Sequence, residues 1–138
     1  MNKVITTVAE MFIDEHGILQ IKILPNAQIT IESVRAYFSA TLEMLSGKKA
    51  LILFDGSENY FITEEAKRFG SSQEVTDTRI AIAYVTNSIS NKLMFNLYMN
   101  IYKPSVPSKM FSSKKAGLEW LKKFYIMPGE KYILNKKK

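Results

Sequence analysis

Residues 79–111 read RIAIAYVTNSISNKLMFNLYMNIYKPSVPSKMF, and this stretch decides the fold. Ile80 to Val85 form a continuous apolar run, as in a strand covered on both faces. Ser88 or Ser90 then offers a hydroxyl to cap a helix placed at 89–102. Pro104 ends that helix, because it cannot supply the next helical N–H. Pro107 opens a short strand through Phe111, where a missing donor is tolerated. A strand, a helix and a second strand in this order make the crossover unit of a parallel sheet, and such crossovers are right-handed.

The helix of this unit is apolar nearly all round. Lys92, Asn96, Asn100 and Lys103 form one narrow polar stripe. Ile89, Leu93, Leu97 and Ile101 already make the single apolar stripe that a helix needs to lie on a sheet. Phe95, Met99 and Tyr102, or Met94 and Tyr98, are then surplus. Three occupants would cover the surplus: a neighbouring helix, a second subunit or an apolar ligand. Methionine and tyrosine suit adaptable contact surfaces. Met94, Phe95, Tyr98, Met99 and Tyr102 are therefore the candidate ligand or partner surface.

Working outward, the rest of the chain repeats the strand–helix rhythm. Residues 4–14 and 18–24 read as an antiparallel hairpin. Leu19, Ile21 and Ile23 alternate with Gln20 and Lys22, and Asp14-Glu15-His16-Gly17 makes the turn. Thr30 caps a helix over 31–46, with Val34, Phe38, Leu42 and Leu45 on one face and Gly47 beyond its end. Ala50 to Phe54 form a central strand. Thr63 caps a second helix whose first turn holds Glu64 and Glu65, where negative charge is favoured. Gly70-Ser71-Ser72 weakens that helix midway. Ser112 or Ser113 caps a last helix carrying Leu118, Leu121 and Phe124 or Tyr125, stopped by Met127-Pro128-Gly129. The order is β-β-α-β-α-β-α-β-α. It predicts an α/β domain with a mixed five-stranded sheet, an N-terminal antiparallel hairpin and about four helices. The last three strands are parallel. One domain spans residues 1–126, and 127–138 form a basic C-terminal tail.

Composition narrows the function. Of 138 residues, 46% are hydrophobic and 23% charged, an ordinary balance for a globular domain. There is no cysteine, which excludes disulfides, zinc–thiolate sites and thiol nucleophiles and suits the cytoplasm. No apolar run approaches the ~20 residues of a membrane span, and the N-terminus lacks the order of a signal peptide. The net charge of +6 is unevenly spread. Residues 1–91 carry eight Lys/Arg against eleven Asp/Glu, and residues 92–138 carry eleven lysines against Glu119 and Glu130. The basic half admits salt-sensitive association with an anionic membrane or nucleic acid. A solvated face with a lysine tail accounts for it more simply.

No catalytic constellation emerges. His16 is the single histidine, and it reads as a turn residue, so a Ser-His-Asp arrangement has no evident base. Gly70-Ser71-Ser72 lies inside a helical segment and is no phosphate loop. Asp55 ends a central strand, where α/β sheets place ligand groups. With Glu58, Glu64 and Glu65 near it in sequence it suggests a weak divalent-cation site, but no ligand spacing is recognisable. Solvated acidic loop residues are the better reading, and no metal or cofactor is expected.

The element order and the local motifs resemble the SpoIIAA-like proteins of the STAS fold. The motifs are R-x-A-I-A-Y-V-T at Arg79 to Thr86, K-P-x-V-P-x-K-x-F at Lys103 to Phe111 and A-x-x-x-W-L at Ala116 to Leu121. The match in order runs over residues ~8–124, with boundaries good to a few residues. The resemblance implies the anti-sigma-factor-antagonist type of α/β domain, similar also to CRAL-TRIO-type lipid-binding domains. With no catalytic constellation and a helix 89–102 more apolar than one sheet contact needs, the expectation is a non-enzymatic STAS-like regulatory or interaction module that contacts a protein partner or itself as a homodimer. In the antagonists a serine at the start of the helix after a central strand is phosphorylated, within a motif resembling I-D-S-S-G. Here the stretch reads Ile62-Thr63-Glu64-Glu65-Ala66, and the serine position falls on Glu65, which cannot be phosphorylated. Thr63 to Glu65 is thus the possible switch position, with Thr63 a displaced phosphosite or simply the cap. The alternative role, binding a small apolar or lipid-like ligand, requires a cavity on the scale of several hundred Å3.

Overall fold

The computed structural model describes residues 3–124. Its elements are β1 (Lys3–Ile5), β2 (Ala9–Ile13), β3 (Leu19–Ile23), β4 (Ala27–Ile29), α1 (Ile31–Leu45), β5 (Ala50–Asp55), β6 (Tyr60–Ile62), α2 (Glu64–Gly70), α3 (Gln73–Thr76), β7 (Arg79–Val85), α4 (Ile89–Tyr102), β8 (Ser108–Phe111) and α5 (Lys114–Lys122). The central sheet has the order β1-β2-β3-β5-β7-β8. The β1/β2 and β2/β3 pairs are antiparallel, and β3/β5, β5/β7 and β7/β8 are parallel. This is the mixed sheet that the sequence predicts, with the hairpin at one edge and parallel strands at the other.

Two differences have local causes. The first expected strand, 4–14, is broken into β1 and β2. Thr6 turns the chain there: its hydroxyl accepts from the Val8 and Ala9 amides at 3.3 and 3.2 Å. The central sheet therefore has six strands rather than five. In addition, β4 and β6 pair in parallel as a separate two-stranded sheet. Each has three residues, too few to show a period of two. They have a clear mechanical result. β4 leads into Thr30 and β6 into Thr63, so their pairing, extended by the Thr63 amide donating to the Ile29 carbonyl at 3.0 Å, aligns the starts of α1 and α2.

The helices end and begin where capping chemistry places them. Thr30 accepts from the Ser33 amide and Ser33 bonds back to the Thr30 amide, a reciprocal capping box at α1. Thr63 accepts from the Ala66 amide at 3.1 Å and starts α2. The second helix does break at Gly70, with Ser71 bonding the Lys67 and Arg68 carbonyls before the short α3. Residues 125–138, including Tyr125, Met127-Pro128-Gly129 and the basic tail, lie outside the described residues.

The core has two sides. On one, Ile21, Ile52 and Ile82 of the sheet pack with Val34 of α1 and Ala66 of α2. On the other, Leu53, Ala81, Ala83 and Val85 pack with Leu121 of α5. α4 joins the first side through Phe95, whose ring centroid lies 4.8 Å from that of Tyr84.

The orientation of α4 corrects one expectation. The stripe assigned to the sheet faces away from it: Ile89, Leu93, Leu97 and Ile101 are 78, 66, 60 and 57% exposed. Phe95 and Tyr98 point inward instead, and no residue of α4 is fully buried. Apolar residues surround this helix, so its sequence offers two faces of similar hydrophobicity. The aromatic face wins because each ring removes more apolar area from water and gains edge contacts with other rings.

Candidate functional site

A cavity of about 110 Å3 lies between α4, α1, α2 and the sheet. Tyr84 of β7 is central to its aromatic floor, with Phe54 of β5 at 5.5 Å and Phe95 at 4.8 Å between ring centroids. Val34 and Tyr37 of α1, Tyr60 of β6 and Lys67 of α2 supply the walls. Met94, Phe95 and Tyr98 of α4 line its remaining side, where it stays partly open to solvent.

Arg79 enters the same cavity through an irregularity in its strand. Ala50 pairs with Arg79 and Leu51 with Ala81, so Arg79 and Ile80 together oppose one residue of β5. This is a β-bulge, the device that re-aims a side chain at a strand end. Strict alternation back from Ile82 would aim Ile80 into the cavity and Arg79 toward α5. The bulge reverses this: Ile80 packs with Leu121's cluster, and Arg79 lines the cavity beside Tyr37. Arg79 Nε is buried without a hydrogen-bond partner. Among the described residues, Arg79 pairs with no carboxylate.

The phenols around it are held neutral. Burial pushes Tyr37 up to about 12, with Arg79 pulling partly the other way. Burial also raises Tyr60 and Tyr98, and for both the neighbouring Tyr84 adds to the rise. A neutral phenol can donate a hydrogen bond, so this cavity combines the cations Arg79 and Lys67, O–H donors and apolar rings, and no carboxylate among the described residues lines it.

α4 is fastened at its ends. At the start, Ser88 caps it at Asn91 (3.2 Å). Asn91 Nδ2 donates to the Gly56 carbonyl at 3.1 Å and to Thr86 Oγ1 at 3.3 Å. At the end, the Tyr102 hydroxyl donates to Glu64 Oε2 at 2.7 Å. That bond, followed by the Lys67 ammonium at 3.7 Å, holds the Glu64 carboxyl below its usual range, and the same bond raises Tyr102.

The candidate residues divide accordingly. Phe95 and Tyr98 line the cavity. Met94 touches it while remaining exposed, and Met99 and Tyr102 are half-buried. The Tyr102 ring packs tilted against that of Tyr98, 5.0 Å between centroids. Of the switch residues, Thr63 is the α2 cap, Glu64 is bonded to Tyr102, and Glu65 is exposed in the first turn. The two groups chosen from sequence are thus joined by one hydrogen bond. His16 sits exposed in its turn, 3.4 Å from Glu15. Asp55 accepts from the amide and hydroxyl of Ser57. No cluster of acids and histidine suited to a metal occurs among the described residues. No helix among them is long and apolar enough to cross a membrane.

Sequence reasoning missed Arg79, Tyr37, Tyr60 and Tyr84 as a group. One signal was available. A single arginine heads an otherwise apolar central strand, where a charge is costly unless something meets it.

One solved structure agrees on the architecture. The solved structure of an uncharacterized protein from Shewanella loihica PV-4, of the DUF3478 family with a SpoIIAA-like fold, superposes with a TM-score of 0.62. The match covers 88% of this chain and 98% of that one at 14% identity, so it shows the fold. A protein with unknown function from Arthrobacter sp. FB24 is 21% identical over 80% of this chain and 96% of its own, with a TM-score of 0.32. No curated protein matches. The model of a domain of unknown function, DUF7793, matches residues 11–125: the chain belongs to that family, and it is built on the SpoIIAA-like α/β fold.

Proposed function

We propose that this domain is a non-enzymatic, cytoplasmic regulatory module that works by protein contact, pairing with a second copy of itself through the outer face of α4. The supporting observation is the continuous exposed stripe of Ile89, Leu93, Leu97 and Ile101. Residues four apart lie on one face, so the stripe runs the length of a helix of about 21 Å. Exposed apolar patches of this kind mark contacts. No acid lies on α4, so no unpaired carboxylate would be buried by closing the stripe. A single helix face sits at the low end of specific interfaces, and the association expected is reversible and concentration-dependent. On the resemblance, the serine that antagonists phosphorylate falls on Glu65, which takes no phosphate, so phosphorylation at that position does not control the contact.

The inward set of Phe95 and Tyr98 is a poor place to test this, because an aspartate there would damage the fold. Leu93→Asp and Leu97→Asp are cleaner. By size-exclusion chromatography with light scattering, the wild type should show a dimer that dissociates on dilution, and each variant a monomer whose melting temperature matches the wild type's at low concentration, where both are monomeric. A wild type that stays strictly monomeric at high concentration overturns the proposal.

A further inference from the structure

Beyond the outer face of α4, its inner face covers a site that the interaction role does not use. We infer that the cavity beneath α4 binds a small organic carboxylate, with the carboxylate on Arg79 and a ring-sized apolar body among Tyr84, Phe95 and Tyr98.

Three features of the site select this chemistry. The first is charge. Arg79 is turned into the cavity by the bulge of β7, its Nε is buried and unpartnered, and no carboxylate of the described chain pairs with it. Arg79 as a whole is half-buried, but a donor sealed from water like its Nε is costly until an acceptor meets it. The other cation of the wall, Lys67, is already engaged with Glu64 at 3.7 Å. One free fork of N–H donors matches the planar, bidentate geometry of a carboxylate.

The second is size. The cavity of about 110 Å3 is well under the roughly 300–1,000 Å3 of drug-sized pockets. It is close to the roughly 150 Å3 of an apolar cavity that accepts benzene. A single ring or short branched chain fits. The third is polarity. Apart from Asn91, the remaining walls are rings and aliphatic side chains, and the phenols, protonated at neutral pH, serve as donors. A carboxylate accepts from such donors. A cationic ligand would face Arg79 with no acid to receive it.

The test uses the full chain and defined probes, with amide chemical shifts followed by NMR. Benzoate should bind saturably and move the resonances of Arg79, Tyr84 and Tyr98. Benzyl alcohol keeps the ring and lacks the charge, and acetate keeps the charge and lacks the ring. Each should bind at least about tenfold more weakly, since a charge-assisted pair and a buried ring each contribute on that scale. Arg79→Gln should weaken benzoate by about tenfold or more, with Arg79→Lys intermediate. The comparison of benzoate with benzyl alcohol on the wild type stands even where Arg79→Gln fails to fold. Equal binding of the two, or shifts confined to surface lysines, overturns the inference. Phenyl phosphate binding more tightly than benzoate overturns the carboxylate assignment.

Discussion

Helices α4 and α5 both follow a parallel strand of the central sheet, and both begin at a serine whose hydroxyl accepts a backbone N–H, Ser88 and Ser113. They meet the sheet in opposite ways. α5 has nine residues and buries Gly117 and Leu121 against Leu53, Ala83 and Val85. A Cβ added at Gly117 would lie 2.9 Å from Leu53 Cδ1, so the lack of a side chain there is what lets the helix backbone come so close. α4 has fourteen residues and buries none of them fully. Where small residues face each other, helix and sheet close up. Where Tyr84 meets Phe95, the rings hold them apart and leave the cavity. The size of the contact residues sets the separation, so the close-packed side serves stability, and the open side has room for a ligand.

The sharpest way to break this contrast is to truncate one leucine on each helix. Leu121 is fully buried, and Leu121→Ala should cost about 2–5 kcal/mol. Leu97→Ala, on the exposed stripe, should fall within about 0.5 kcal/mol of wild type in the monomer. Urea denaturation at low protein concentration measures both, and equal costs would mean that α4 is packed as firmly as α5.

A second test uses the fact that the titratable rings are on the open side. Tyr37, Tyr60 and Tyr98 have raised folded-state values, whereas the α5 side holds Phe111, Trp120 and Phe124. A raised value means that the unfolded chain loses its proton first. The stabilisation is therefore complete below pH ~10 and is lost as pH rises toward the folded value, about 12 for Tyr37. For Tyr37 alone the loss amounts to about 2–3 kcal/mol. Alkaline unfolding followed by phenolate absorbance should show a delayed step between pH 10 and 12, and Tyr37→Phe should diminish it. Tyrosines that all titrate near 10 in the folded protein would show that the open side is wet.

The smallest effect concerns the clasp at the end of α4. Tyr102→Phe removes the bond that chiefly lowers Glu64. The Glu64 titration, followed by NMR, should move up toward its ordinary value. Because the folded value is depressed, the clasp acts above the unfolded carboxyl value and fades as pH falls through the folded one. An unmoved Glu64 would mean that Lys67 and Arg68 set its value, and that α4 is tied down only at Asn91.

The limits of α4 were legible in the sequence because they depend on local chemistry, a serine cap and a proline two residues past the end. The central strands were legible as apolar runs, and the break at Gly70 as a run of weak helix formers. What could not be read depended on choices between equals or on distant meetings. Nothing in residues 89–102 says which of two apolar faces turns inward, because that is settled by Tyr84 and Phe54 on other elements. β4 and β6 have no period to detect. The cavity draws Tyr37, Tyr60 and Tyr84 from three elements, and a strict count of alternation places Arg79 on the wrong side of the sheet.

That last point has a consequence for reading relatives of this domain. Ile80 is the extra residue of the bulge, and Arg79 keeps its pairing with Ala50 whether or not a residue follows it before Ala81. A homologue with a one-residue gap at this place would carry its arginine into the cavity with a regular ladder. A homologue that keeps the length but straightens the strand would turn the arginine toward α5. Within the family, then, gaps at a single column, more than substitutions, are the variation to examine when asking which members keep a charge in the cavity.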